Sequence, residues 1–282
     1  MTHAPNAANQ AELTFPDGTP STVRDTLLAE ARMLDESHVA LQELMERMTG
    51  ELANNRCAAF AGFDPLERAE GLYRVPARLF ARVVARVSQA LSPSETPLKL
   101  DVDHLEEHYF PRRAWSEAPA FSCVDLVERL LAEFAPCAHE IAQKQAAHKF
   151  ARVFGLRYQK APEVVSGRIV LKHGASVDTL WSTTRYSFHA QHNIREHLDA
   201  LATCLPLANP AVDEESIRQS VRDVLGDLER RNWQPGRDYR GEVAGVQIRL
   251  FQTAVKYHFP AAHVQALNLF CVEHAPEYFA ER

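Results

Sequence analysis

Val246, Ile248 and Leu250 alternate with other residues, and after Gln252-Thr253 the alternation resumes through Val255, Tyr257 and Phe259. A period of two in both runs, broken by two residues, reads as a β-hairpin over 246–259, because a helix would scatter those six side chains around its axis. The hairpin admits two settings. It is the wing of a winged-helix-like reader, with Arg249 and Lys256 on the wing and helix 214–231 beside it, or it pairs with the apolar stretch Arg168-Ile169-Val170-Leu171 in a small antiparallel sheet covered by helices. The sheet is the favoured setting, since a lone hairpin buries too little surface to be stable.

The rest of the chain has helical periodicity. Leu27, Ala31, Leu34, Leu41, Met45, Met48 and Leu52 follow alternating spacings of four and three, with His38 in the remaining slot, so a long helix starts near Ser21 or Thr22 and stops near Asn54-Asn55. Its narrow seam suits a homodimer through residues 27–52, although Ala31 and His38 favour packing along its own domain. A second helix is expected from Pro76 to Leu91, burying Phe80 or Leu79 with Val83 and Val87, and lining Arg78, Arg82 and Arg86 along another face. A short helix is expected over 103–109, one from Ser122 to about Ala135, and one from Pro136 to about Leu156. Further helices are expected from Thr184 to Thr203, from an Asp213 cap to near Trp233, and after Pro260, with a linker over 206–213. The fold class is therefore α+β, predominantly helical: a polar tail over 1–20, a helical region over 21–156, and an α+β region over 157–282.

Hydrophobic residues make up 46% of 282 residues, enough for a sizeable core, and no apolar run approaches the roughly 18 to 20 residues of a bilayer-spanning helix. The first 20 residues lack the apolar stretch of a signal peptide, and five cysteines without a CxxC pair suit reduced thiols, so a bacterial cytoplasmic protein is expected.

Catalytic signatures are sparse. No phosphate-binding glycine loop, dinucleotide fingerprint or nucleophile elbow is present, so no nucleotide cofactor is expected. His104, Glu107 and His108 match H-x-x-E-H, a pattern in which two histidines one turn apart share a metal and the glutamate activates water. His189, His192 and Glu196 also share a helix face that suits a divalent ion. The short helix around the first set and the lack of further ligands for the second make solvated helix surface the favoured reading of both.

The charge distribution is more informative. The chain carries a net charge of −6, yet residues 144–172 hold seven Lys/Arg against one acid, Glu163. That block is +6, leaving −12 for the remainder. Surface helices usually mix signs, so the imbalance points to DNA or an acidic protein surface as partner. The expected contacts are Lys149, Arg152, Arg157, Lys160, Arg168 and Lys172, with Phe154 or Tyr158 as stacking groups.

The stretches GLRYQKAPEVVSGRIVL (155–171), NWQPGRDY (232–239) and IRLFQTAVKYHFPAAHVQALN (248–268) resemble an uncharacterised domain family carried on plasmids, phages and integrative conjugative elements, sometimes linked to DNA methyltransferases. The resemblance implies a mobile-element accessory protein working near DNA or against a host defence system. It brings no catalytic residues with it. The sequence lacks the [DN]-P-P-[YF] tetrapeptide of an amino-methyltransferase; Phe63-Asp64-Pro65-Leu66 and Asn209-Pro210-Ala211-Val212 both miss the second proline and the aromatic. The expectation is thus a non-enzymatic binding protein, with a metal-dependent hydrolase or a dimeric inhibitor of a host factor as the alternatives.

Overall fold

The computed structural model describes residues 21–54, 65–94, 96–111, 120–158, 163–180 and 183–280. The polar tail over 1–20 lies outside them. Two compact units form, Met1–His139 and Glu140–Arg282. The fold is α+β and predominantly helical, as the periodicity requires. The division falls at the start of the helix expected to run to 156, so that helix goes with the sheet and not with the helical region.

The first unit contains α1 (Ser21–Asn54), α2 (Pro65–Leu91), α3 (Asp103–Tyr109) and α4 (Cys123–Phe134). α2 begins well ahead of Pro76, which lies inside it. Leu66, Glu67, Arg68 and Ala69 are strong helix formers, and their propensity carries the helix across the one N–H that proline lacks. α1, α2 and α4 pack pairwise, burying Leu27, Leu28, Ala31, Val83, Val87, Leu91, Leu126 and Leu130. Leu27 and Ala31 of the α1 seam are thereby used within the unit. Leu41 remains exposed, and the side chains of Met48 and Leu52 lie outside those described.

Asp35 fixes α1 against the start of α4. Its carboxylate accepts from the Cys123 N–H (2.7 Å), the Val124 N–H (3.1 Å) and the Ser122 hydroxyl (2.8 Å), while Ser122 Oγ accepts from the Asp125 N–H (3.3 Å) as the expected helix cap. One carboxylate thus satisfies two N–H groups that the first turn of a helix leaves unbonded. Asp35→Ala is expected to cost about 2 kcal/mol, the upper end for a lost cap. Asp35→Asn should lose less, and urea denaturation monitored on the first unit checks both.

The second unit contains α5 (Ala138–Val153), β1 (Glu163–Val165), β2 (Arg168–Gly174), β3 (Val177–Leu180), β4 (Thr183–Tyr186), α6 (Phe188–Ala208), α7 (Glu214–Arg230), β5 (Gly241–Val243), β6 (Val246–Phe251), β7 (Ala254–Pro260), α8 (Ala261–His274) and α9 (Pro276–Ala280). The 246–259 hairpin is β6–β7, and it pairs with the 168–171 strand: the sheet order is β1-β2-β7-β6-β5, antiparallel throughout. The favoured sheet setting is therefore the one that forms, and the hairpin is not a free wing. Two outer strands go beyond the sequence reading. Both are joined by two-residue turns, Ser166-Gly167 with φ of 52° and 73° and Ala244-Gly245 with φ of 46° and 81°. Positive φ at both central residues matches the twist of a tight hairpin.

Residues 184–186 form a strand where helix was expected, because Thr183, Thr184 and Tyr186 favour extended backbone and pair with Val177–Leu180. The helix begins after Ser187, whose Oγ accepts from the Ala190 N–H at 3.2 Å, and continues through Pro206 to Ala208. Asp213 caps α7 as expected, accepting from the Ser216 N–H at 2.7 Å. Gly241 is required in its strand: a Cβ there would lie 2.8 Å from the Tyr239 hydroxyl and 2.9 Å from its ring.

One face of the sheet packs on the helices. Leu171, Val243, Val246, Ile248, Leu250, Val255, Tyr257 and Phe259 join Phe150 and Phe154, Leu198 and Leu201 of α6, Ile217 of α7 and Phe270 of α8 in one apolar cluster. That fixes which strand positions face the other way.

Candidate nucleic-acid interface

Direct pairing across antiparallel strands puts opposed residues on the same face. Lys172 on β2 faces Lys256 on β7, which in turn faces Arg249 on β6, so three cations form one row across the three central strands. The row lies on the face turned away from the apolar cluster. The next row on that face is Glu163, Val170, His258, Gln247 and Glu242, and beyond it Arg168 stands opposite Pro260. Phe251, opposite Ala254, flanks the cationic row on its other side. Arg168, Lys172, Arg249 and Lys256 against Glu163 and Glu242 leave this face with a formal excess of two positive charges.

Each cation is held differently. Lys172 is exposed and makes no ion pair among the described residues. Lys256 reaches Glu163 at 3.3 Å and lies 5.9 Å from the centre of the Phe251 ring. Arg168 donates through Nη1 to the Gly245 carbonyl (2.6 Å) and the His258 carbonyl (3.4 Å), tying the ends of β2 and β7 to the β5–β6 turn. Arg249 keeps its Nε buried without an acceptor. His258 is 5% exposed and its Nε2 also has no partner. Burial lowers the His258 pKa, and Arg249, Lys256 and Arg168 push it the same way against Glu163.

The cationic block of the sequence does not stay together. α5 lies in the helical layer, on the far side of the sheet from this face, and takes Lys149 and Arg152 with it. Lys149 pairs with Asp199 of α6, and Arg152 is exposed. Arg157 donates from Nε to the Tyr278 carbonyl (2.9 Å) and lies 4.9 Å over that ring, so it secures the C-terminal helix α9. Phe154 is fully buried and unavailable for stacking, because it fills the core; Tyr158 is 77% exposed. Lys160 lies outside the described residues. Of the expected contacts among the described residues, only Arg168 and Lys172 reach the sheet face, and Arg249 and Lys256 join them there.

The histidine sets are dispersed as well. His104 Nε2 bonds Glu133 at 2.9 Å, and His108 packs its ring on Tyr109 at 5.0 Å. Glu107 is exposed, and their helix has seven residues. His189 meets Asn193 at 3.3 Å, His192 is exposed and Glu196 half-buried. Among the described residues no three His, Cys, Asp or Glu side chains come together in a group able to hold a metal ion. In the first unit, Arg86 of the Arg78/Arg82/Arg86 stripe makes a bidentate pair with Glu30 at 2.8 and 2.9 Å. No described helix is long and apolar enough to cross a membrane. Comparison with protein-family models, with curated proteins and with solved structures returns no match.

Proposed function

We propose that the second unit binds the phosphate backbone of a nucleic acid on the outer face of its sheet, as a non-enzymatic binding protein. The Lys172–Lys256–Arg249 row carries this reading. Like charges directly opposite on neighbouring strands destabilise a sheet, and one carboxylate, Glu163, reaches the row. A string of phosphates laid across the strands removes that repulsion and releases counterions from the backbone. Phe251 beside the row offers a ring face to a base, which an acidic protein surface would leave unused. The DNA-linked, mobile-element context implied by the sequence resemblance agrees with this partner.

The test separates binding from folding. Lys172→Glu with Arg249→Glu converts the row to Glu–Lys–Glu, whose alternating signs favour the sheet, so the melting temperature should hold or rise. Affinity for labelled single-stranded or duplex DNA at low salt should fall at least about tenfold, and the slope of log affinity against log salt should drop by about two. Unchanged affinity in the double variant would overturn the proposal, as would an absence of binding by the unaltered protein at low salt. In the latter case an acidic protein becomes the partner to seek.

A further inference from the structure

We infer that His258 and Arg249 form a phosphate-coordinating pair at the centre of this face, and that an anion bound there draws a proton onto His258. This rests on the phosphate-binding reading above and adds to it a defined contact point and a pH dependence.

The observation is a pair of buried nitrogens without partners. His258 Nε2 and Arg249 Nε are both inaccessible and unbonded. Register makes them diagonal neighbours: His258 faces Gln247, and Arg249 lies two residues further along the same strand. Side chains so placed on one face are within mutual reach. A buried polar group without a partner is costly, so such a pair calls for an acceptor. The Arg249 guanidinium is a donor only, which excludes a cation or another donor as the missing group.

The surroundings decide the sign of that acceptor. Around His258 stand Arg168 and Lys172 from β2, Arg249 from β6 and Lys256 from its own strand; the acids are Glu163 on β1 and, further off, Glu242 on β5. With Glu163 drawn to Lys256, the remaining field around the ring is positive, and an anionic oxygen suits it. Lys256 and Arg249 are long and flexible, so they can turn toward an incoming phosphate and open the way to the ring beneath.

Proton uptake follows from the same charges. Without an anion, burial and three cations disfavour the charged imidazole. A phosphodiester against Arg249 cancels part of that field, and a protonated ring donates to it through Nε2. Binding that raises the proton affinity of His258 must, by linkage, strengthen as pH falls.

The experiment uses the full chain with carbon-13-labelled histidine, followed by NMR across pH, with and without sulfate, an anion that does not titrate in this range. Sulfate should move the His258 midpoint upward by about half a unit or more, and an oligothymidylate should bind at least about threefold tighter at pH 5.5 than at pH 8. In His258→Gln that pH dependence should vanish while the salt dependence remains. A His258 signal indifferent to sulfate, in a protein that still binds the oligonucleotide with a salt-dependent affinity, would overturn this inference and leave the sheet-face reading standing. Failure of both ligands to bind would overturn both.

Discussion

Phe154→Ala is expected to destabilise the second unit by about 3 to 5 kcal/mol, the range for truncating a fully buried aromatic ring. The ring has no exposed surface, and its neighbours lie on every side: Phe150 at 4.6 Å, His197 at 4.9 Å, Tyr257 at 5.3 Å, His173 at 5.4 Å and Phe259 at 5.7 Å. It joins the end of α5 to α6 and to β2 and β7. Local backbone holds it there: the Phe154 N–H bonds the Phe150 carbonyl at 2.9 Å, and Gly155, at φ +57°, lets the chain leave the helix without withdrawing the ring. The void left by alanine would be bordered by two imidazoles, so water entering it would soften the loss toward the lower figure. Leucine should recover much of it. Urea denaturation of the three proteins decides the matter, and a loss below about 1 kcal/mol would mean that the ring does not hold these elements together. The nucleic-acid binding proposed for the sheet face should be unchanged in whatever remains folded, the reverse of the Lys172/Arg249 pair.

That contrast shows what the sequence conveys and what it hides. Phe150, Phe154 and Tyr158 have the same spacing and the same neighbouring cations, yet the first two are core and the third is exposed. Periodicity gives the angle of a side chain about a helix axis; which angle faces the core depends on where the sheet lies. The hairpin was legible because β6 has one face buried, and its alternation survives with little noise. β1, β3 and β5 were not, since three or four residues cannot establish a period, and β1 is exposed at every position. The clearest trace of β1 and β5 is the paired turns Ser166-Gly167 and Ala244-Gly245, which need a partner strand before they mean anything.

The candidate site was half legible for the same reason. A run of cations along the chain suggests a patch only if the chain stays on one surface. Here it crosses from the helical layer to the sheet, so Lys149 and Arg157 become internal struts, to Asp199 and to the Tyr278 carbonyl. Arg249 and Lys256 sit eighty or so residues from Lys172 in sequence and become its neighbours through strand pairing. Reading β2 against β7 in register would have found the row; no count of local charge could.

Stability of the second unit should fall steeply as pH drops from 6.5 toward 4.5, by roughly 3 to 5 kcal/mol. The cause is the pair His197 and His173, whose rings lie 4.2 Å apart in the core beside Tyr257. His197 is 5% exposed, and both its nitrogens lack a bonded partner, as does Nε2 of His173. Burial lowers the His173 pKa to about 4; burial, with His173 adding to it, lowers that of His197 to about 3. Above pH 6.5 both imidazoles are neutral in the folded and the unfolded chain, and they contribute no slope. Between 6.5 and about 4 the unfolded chain takes up a proton at each of these two positions that the folded chain refuses, and His258, also lowered by burial, adds in the same direction, so stability rises with pH in that window and is lost as pH falls through it. Each refused proton is worth up to about 1.4 kcal/mol per pH unit, discounted for His173, which is only partly buried. Asp238, whose carboxyl is held below its usual range by the Arg231 guanidinium, loses its charge lower still and does not set this window. Urea melts at pH 7, 6 and 5 measure the slope, and His197→Phe should flatten it by about one proton while keeping the ring packed. A unit equally stable at pH 7 and pH 5 would mean that these imidazoles are hydrated or charged in the folded chain, and the dry aromatic core around Phe154 would have to be redrawn.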